Sequence, residues 1–184
     1  MTTTSSRPSS APQESSPPEL RVEALTPERW PDVVKLFEKH KVLNERELHA
    51  RYEVNLETYC KTINVEAQLM VLMANRYILP AALNYQKQVA ESVAAVAKAG
   101  ATSRQGKKLL GSFTKLVDGF KAQTDQLAEL LEHSSPSTDK HAKHMRDKVI
   151  PAMTRLRDLG DQIELATPHE LWPLPTYREM LFIK

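Results

Sequence analysis

The sequence is poor in the residues on which strand-rich and phosphate-binding folds depend. Its 184 residues include 5 glycines and one cysteine, and aromatic residues make up 6%. Neither GxGxxG nor GxxxxGK[ST] occurs, so the chain lacks the glycine loops that let backbone amides approach a phosphate. A lone cysteine excludes an internal disulfide and fits a reducing compartment. Without strand-like alternation or an Asn-Gly turn, no β-sheet is predicted.

Charge and hydrophobic runs exclude further classes of partner. The 25 Lys and Arg residues nearly balance the 23 Asp and Glu residues, so the net charge of +2 does not indicate nucleic acid or an anionic membrane. No apolar run approaches the roughly 20 residues that cross a bilayer, and the start lacks a secretory hydrophobic region. We therefore expect a soluble cytoplasmic protein with no cofactor, no nucleic-acid partner and no membrane partner.

The first 22 residues differ in composition from everything that follows. Four of the 12 prolines fall within the first 18 residues, among serines and threonines. Such a segment buries too little apolar surface to offset its ordering entropy. The sequence therefore predicts a disordered Ser/Pro-rich tail over residues 1–22 and one helical domain over residues 23–184.

Helix signals begin directly after this tail. Thr26-Pro27 is an N-cap signal before a short amphipathic helix that starts near Trp30. Asn44 and Glu47 form a capping-box pattern at the start of a much longer helix. Gly100 is its expected C-cap, and Pro80 within it is interpreted as a kink. The predicted buried stripe comprises Leu56, Tyr59, Ile63, Ala67, Met70, Ala74, Tyr77 and Ala81, widened by Leu69 and Met73.

Two further long helices follow, over about 103–132 and from Ser135-Pro136 onward. The first carries a seam in steps of three and four residues, typical of packed helices. Its members are Leu110, Phe113, Val117, Phe120, Thr124, Leu127 and Leu131. The second carries Ala142, Met145, Val149, Met153, Leu156 and Ile163, interrupted by Pro151. The predicted fold is all-α: an elongated antiparallel bundle of about three long helices, with a short N-terminal helix and a proline- and aromatic-rich C-terminal strap.

Few side chains carry a chemical signal. Cys60 lies in a helical apolar region, so a buried small residue is favoured over a nucleophile. His141 and His144 have a spacing that can hold a metal, but their polar surroundings favour solvated surface histidines. Glu66 is a candidate buried carboxylate with a raised pKa, but a boundary position paired with a neighbouring base, Lys61 or Arg76, is favoured. No catalytic, cofactor or metal site is predicted.

The strap, residues 172–184 (WPLPTYREMLFIK), is unusual for a chain end. Thr167-Pro168 with Glu170, and Thr176 with Glu179, are two helix-start signals close together. Two prolines between them hold the backbone extended at low entropic cost. The strap is therefore predicted to dock on the bundle or on a partner. Its candidate docking residues are Trp172, Pro173, Leu174, Pro175, Tyr177 and Phe182.

Several long segments carry a family resemblance. They are LFEKHKVLNERELHARYEVNLETYCKTINVEAQLM, LPAALNYQ, RDKVIPAMTRLRD and WPLPTY. In this order they resemble the C-terminal helical region of type III glutamine synthetases, over roughly residues 35–184. The resemblance implies an all-helical domain. In that family, glutamate–ammonia ligation depends on upstream β-grasp and catalytic domains that this sequence lacks, so no catalytic residue carries over.

Three hypotheses follow from this resemblance. The first is a detached, non-catalytic interaction, regulatory or assembly module linked to glutamine synthetase and nitrogen metabolism, with a synthetase catalytic chain or its own long helices as the partner. The second is a fragment of a split or truncated synthetase that contributes only together with a separate catalytic chain. The third is an unrelated long-helix scaffold.

Overall fold

The described part of the chain is helical. The structure is a computed structural model that describes residues 30–133, 135, 137–175 and 177–181. No strand occurs among them, which confirms the all-α fold. The expected tail over residues 1–22, the Thr26-Pro27 cap and Pro136 lie outside the described residues. The chain divides into two compact units, one ending at Val54 and the other beginning at Asn55.

The helices have the following bounds. In chain order they are α1 Trp30–Lys39, α2 Glu45–Met73, a π-turn Ala74–Ile78, α3 Leu79–Lys98, α4 Arg104–Leu131, α5 Thr138–His144, a π-turn Met145–Val149, α6 Ile150–Ala166, a 3-10 turn His169–Leu171 and α7 Tyr177–Leu181. From α2 to α3 the helical run is continuous over 54 residues, and from α5 to α6 over 29 residues.

In the first unit, α1 is fixed to the start of α2 by aromatic contacts. The Trp30 ring lies 5.2 Å from the Tyr52 ring and 6.1 Å, edge-on, from the His49 ring. The predicted capping box is present. The Glu47 amide donates to Asn44 Oδ1, and the Asn44 amide donates to Glu47 Oε2, both at 2.9 Å. Two otherwise unpaired amides at the start of α2 are thereby satisfied.

A π-turn explains how Pro80 stands inside a helix. Proline has no N–H, and its ring clashes with the carbonyl four residues earlier. In the preceding turn the Leu79 amide donates to Ala74 O, five residues back, so the ladder widens just before the proline. The helix therefore continues, as the sequence predicted.

The same turn changes which residues face the core. The predicted stripe assumed regular α-helical steps through Ala74, Tyr77 and Ala81. Instead Tyr77 is 45% exposed, whereas both Ala81 and Ala82 are buried. Leu69 is also 53% exposed, so its assignment to the buried face was wrong. The buried face of α2 is narrower than predicted and consists of Leu56, Cys60, Ile63 and Ala67.

A tight connection joins α3 to α4. Gly100 adopts φ 80°, a left-handed conformation that suits glycine. The Ala101 amide donates to Val96 O and the Gly100 amide to Ala97 O, both at 3.1 Å. This Schellman arrangement confirms the predicted C-cap. Ser103 then caps α4, since its Oγ accepts from the Gly106 amide at 3.1 Å.

The central helix α4 packs antiparallel against both α3 and α6. Against α3, the Tyr85 ring meets the Phe113 ring edge-on at 5.0 Å, and Gln86 Nε2 donates to Thr114 Oγ1 at 2.8 Å. The α4 residues buried in this arrangement match the predicted seam. They are Phe113, Val117, Phe120, Thr124 and Leu127.

On its other side α4 faces the last long helical run. The Arg155 Nε donates to Gln123 Oε1 at 3.4 Å, and a Cβ at Gly160 would stand 3.6 Å from Phe120 Cε2. A second π-turn, closed by the Ile150 amide donating to Met145 O, precedes Pro151. The proline does not interrupt the helix. The buried residues of this run include Ala152 in place of the predicted Met153, which is only half-buried.

Two glycines of α4 should respond oppositely to alanine. A Cβ at Gly106 would stand 3.0 Å from Val93 Cγ2 and would also collide with Ser103 Oγ, displacing the cap. Loss of a serine cap costs about 0.5–2 kcal/mol. At Gly111 a Cβ would meet no atom of the described residues within 4 Å, so alanine should stabilise by about 0.5–1 kcal/mol. Urea unfolding should therefore show a lower midpoint for Gly106→Ala and a higher one for Gly111→Ala. Equal shifts in both variants would contradict the packing described for Gly106.

Candidate functional site

The strap begins at the end of α6, where the chain turns back onto α3. Thr167 and Pro168 have extended backbones, with ψ of 134° and 143°. The 3-10 turn His169–Leu171 contacts α3. It is closed by the Leu171 amide, which donates to Pro168 O at 3.0 Å, and by the Trp172 amide, which donates to His169 O at 3.1 Å. These bonds fix the direction in which the strap leaves the bundle.

The first helix start predicted in this segment forms only a 3-10 turn and lacks the predicted side-chain cap. Thr167 Oγ1 is buried and makes no hydrogen bond to the residues that the structure describes, and Pro168 precedes the 3-10 turn without a side-chain cap. The Thr167 amide instead donates back to Ile163 O at 2.9 Å, so Thr167 terminates α6. Thr176, the cap of the second predicted start, lies outside the described residues.

Along the strap, burial alternates. Trp172 and Leu174 are half-buried, whereas Pro173 and Pro175 are exposed. Alternation is expected of an extended backbone, whose successive side chains point to opposite sides. Tyr177 begins α7, but its side chain, like Phe182, lies outside what the structure describes. The docking role of the six strap residues remains a prediction.

Exposed apolar side chains lie just before the strap and within it. Leu165, on the last turn of α6, is 88% exposed, and Leu181 on α7 is 75% exposed. Met180 is 54% exposed. His169 Nε2 lies 3.8 Å from Glu179 Oε1, which holds α7 near the 3-10 turn. The C-terminal end of the domain therefore presents several apolar side chains to solvent.

The histidines near the α4–α5 connection form a cluster that the sequence did not predict. The His133 and His144 ring centroids lie 4.3 Å apart, tilted by 33°. His144 Nε2 lies 3.0 Å from Leu130 O, so this nitrogen is the protonated donor. His141 is half-buried, and its Nδ1 is buried and makes no hydrogen bond to any residue in the described ranges. The interpretation of His141 and His144 as solvated surface histidines was therefore wrong. The ends of α4 and α5 meet here, which the chain order alone did not reveal.

The surroundings of His141 in this cluster disfavour its protonated form. Burial, and then the neighbouring His144 and His133, lower the pKa of His141 below its ordinary value of 6.5. Within the ranges that the structure describes, no three His, Cys, Asp or Glu side chains are arranged to hold a metal ion.

Two other candidates from the sequence have contrasting outcomes. Cys60 is only 4% exposed, and burial raises the pKa of its thiol, so it is a buried small side chain as predicted. Glu66 is exposed, so the less favoured of its two interpretations, a buried carboxylate, was wrong. It lies one residue outside the narrow buried face of α2. Lys61, suggested as its partner, pairs instead with Glu57 at 2.7 Å.

No helix in the described ranges is long and apolar enough to span a lipid bilayer.

Comparison with known proteins confirms the family resemblance. Residues 18–97 match the glutamine synthetase C-terminal domain. The type-3 glutamine synthetase of Dictyostelium discoideum is 28% identical over 170 residues, which are 88% of this chain and 23% of the relative. The glutamine synthetase of Bacteroides fragilis (strain YCH46) is 29% identical over 153 residues, 78% of this chain and 21% of the relative. The glutamine synthetase of Butyrivibrio fibrisolvens is 26% identical over 155 residues, which are 81% of this chain and 22% of the relative.

The chain thus spans between a fifth and a quarter of the length of these relatives. The alternative of an unrelated long-helix scaffold was wrong.

Acid should destabilise the domain through the histidine cluster. The pKa of His141 is lowered on folding, so the unfolded chain binds more protons near pH 6. The stability that neutral His141 contributes is present above about pH 6.5 and declines as pH falls through its lowered pKa. Urea unfolding at pH 7.5 and pH 5.5 should show a smaller loss on acidification for His141→Gln than for the wild type. His40→Gln, at an exposed histidine outside the cluster, is the control. An unchanged pH dependence in His141→Gln would refute this role.

Trp172 should contribute measurably to the stability of the isolated domain. Replacing a fully buried large aromatic by alanine costs about 3–5 kcal/mol, and Trp172 is half-buried. Trp172→Ala should therefore lower the free energy of unfolding by roughly half that amount. Glu170→Ala, at an exposed position of the adjoining turn, is the control. If both variants unfold at the wild-type urea concentration, the strap is not docked on the domain.

Proposed function

Since residues 18–97 match the glutamine synthetase C-terminal domain, we propose that this chain is a non-catalytic helical module that binds a glutamine synthetase and acts in its assembly or regulation. The supporting observation is the unequal coverage. The match takes in 88% of this chain but only 23% of the type-3 synthetase. The chain therefore corresponds to one part of a much larger enzyme, and a module of this kind acts on nitrogen metabolism through a partner.

The C-terminal end of the domain is the proposed contact surface. Leu165 and Leu181 are exposed, although burying an apolar side chain of this size contributes about 1.5–3 kcal/mol of free energy. Their exposure gives an isolated helix bundle no stability. The strap, to which Leu181 belongs, has two prolines that keep its backbone extended without a large entropic cost on binding. A preorganised apolar end suits a protein partner. The buried thiol of Cys60 fits the reducing cytoplasm in which such a partner would be met.

The test is binding to a type-3 glutamine synthetase together with activity measurements. The chain alone, supplied with glutamate, ammonia, ATP and magnesium, should form no glutamine. Mixed with the synthetase, it should co-elute in size-exclusion chromatography and alter either the assembly state or the rate of the enzyme. Turnover by the chain alone, abolished by substitutions within it, would contradict the proposal.

A matched pair of variants locates the contact. Leu165→Glu with Leu181→Glu places charges on the proposed surface at side chains that are already exposed, so folding should be retained. Binding should fall by at least tenfold, because a buried unpaired carboxylate is strongly unfavourable. Val42→Glu, at an exposed valine on the loop before α2, should bind as the wild type does. Equal affinities for the two variants would remove the C-terminal end from the interface.

A split synthetase gives a different result in the same assay. In that case a separately produced catalytic polypeptide would be inactive alone and active only when this chain is added. The same unequal coverage of the relatives supports this second candidate. Restored turnover with an otherwise inactive polypeptide therefore selects it, whereas modulation of an enzyme already active alone selects the regulatory or assembly module.

A further inference from the structure

The outer face of α4 carries an ordered pattern of charge. From Ser92 to Val117 the chain has five lysines and arginines and no acidic residue, and from Asp118 to Glu132 it has four acidic residues and one lysine. In α4 the division falls at the middle of the helix. The amino-terminal half is therefore basic, and the carboxy-terminal half is acidic.

Eight residues of α4 form one exposed stripe across this division. They are spaced alternately by four and three residues, so they share one face of the helix. All eight are exposed, and they lie opposite the buried seam that contains Phe113 and Phe120. The stripe consists of Arg104, Lys108, Gly111, Lys115, Asp118, Ala122, Asp125 and Glu129.

This arrangement disfavours α4 as an isolated helix. The macrodipole favours acidic side chains at the amino terminus and basic side chains at the carboxy terminus. The first turn of α4 contains no acidic residue and its last turn no basic one. In addition, Gly111 stands in the helix interior with nothing within 4 Å of the place where a Cβ would be. Apart from the Ser103 cap at its amino terminus, α4 therefore carries a charge order and an interior glycine that its own stability does not favour.

The stripe is complementary to itself when reversed. We propose that the outer face of α4 binds the same face of a second copy of this chain, with the two α4 helices antiparallel about a two-fold axis level with Leu116 and Val117. Each position then meets a partner of opposite charge or equally small size. The pairs are Arg104 with Glu129, Lys108 with Asp125, Gly111 with Ala122, and Lys115 with Asp118, each formed twice by the symmetry.

Charge selects this arrangement over its alternatives. A parallel pairing would place lysines against lysines and carboxylates against carboxylates, which is repulsive. An isologous two-fold contact requires a self-complementary patch, and the stripe is one. The small residues Gly111 and Ala122 face each other on either side of the two-fold axis. At these two places the backbones can approach closely. Asp125 already pairs with Lys121 of its own helix, so a partner Lys108 would join an existing pair. This interface does not depend on the proposed partnership with a glutamine synthetase.

Salt dependence provides the first test. Sedimentation velocity at about 0.01 M ionic strength, where screening acts only beyond roughly 30 Å, should show a dimer of the full chain. At about 1 M ionic strength, with a screening length of roughly 3 Å, the same sample should be mainly monomeric. A chain that stays monomeric at low salt up to the highest soluble concentration would overturn the proposal.

Charge reversal and rescue provide the decisive test. One variant carries Arg104→Glu, Lys108→Glu and Lys115→Glu; the other carries Asp118→Lys, Asp125→Lys and Glu129→Lys. Each alone should dimerise at least tenfold more weakly, whereas an equimolar mixture should form a heterodimer. Both variants place charges as the macrodipole prefers, so thermal unfolding at high salt should show that each remains folded. Homodimers that persist in either variant, or a mixture that stays monomeric, would refute the interface.

Two further variants separate this face from general effects of charge and size. Lys140→Glu with Lys143→Glu and Lys148→Glu reverses the same number of exposed cations on another helical run, and it should dimerise as the wild type does. Gly111→Gln leaves the charges unchanged but fills the close approach, so it should weaken the dimer while the monomer unfolds no earlier. If the lysine control weakened dimerisation as much as the stripe variants do, the proposal would also be refuted.

Discussion

Burial of one seam on α4 holds the larger unit together. The five buried residues from Phe113 to Leu127 lie between α3 and α6, so both flanking helices depend on the same side chains. The two Phe rings are the largest of these, and each anchors one neighbour: Phe113 meets Tyr85 of α3, and Phe120 covers Gly160 of α6. Because the buried seam of α4 faces both neighbours, the opposite face of α4 is left exposed.

The sequence predicted the features that depend on local chemistry. The Asn44–Glu47 capping box, the Gly100 C-cap and the α4 seam all follow from neighbouring residues and helical spacing. Each requires only the hydrogen-bond geometry or the period of a single helix. For this reason the helical class and the helix ends could be predicted without any knowledge of how the helices pack.

The wrong predictions concern residues whose burial depends on tertiary packing or on a change of helical period. Tyr77 was predicted to be buried because its spacing from Ala74 suits an α-helix, and the π-turn shifted that register. Leu69 was assigned to a buried face that proved to be narrower, and Glu66, a candidate for burial beside it, is exposed. The histidine cluster depends on the meeting of two helix ends, which only the tertiary structure supplies. The proline after each π-turn was visible in the sequence, but a proline alone predicts a kink as readily as a widened turn.

The π-turn at Ala74–Ile78 gives the 54-residue helical run two different orientations. An extra residue in one turn rotates everything downstream by about a quarter to a third of a revolution, since each residue advances the helix by roughly 100°. The backbone is therefore continuous from α2 to α3, but the side of the helix that faces solvent changes at the π-turn. A solvent-facing row on α2 does not continue as a solvent-facing row on α3. A single helical run can in this way pack in two different environments without a loop between them. Pro80 fixes the position along the helix at which the exposed side changes.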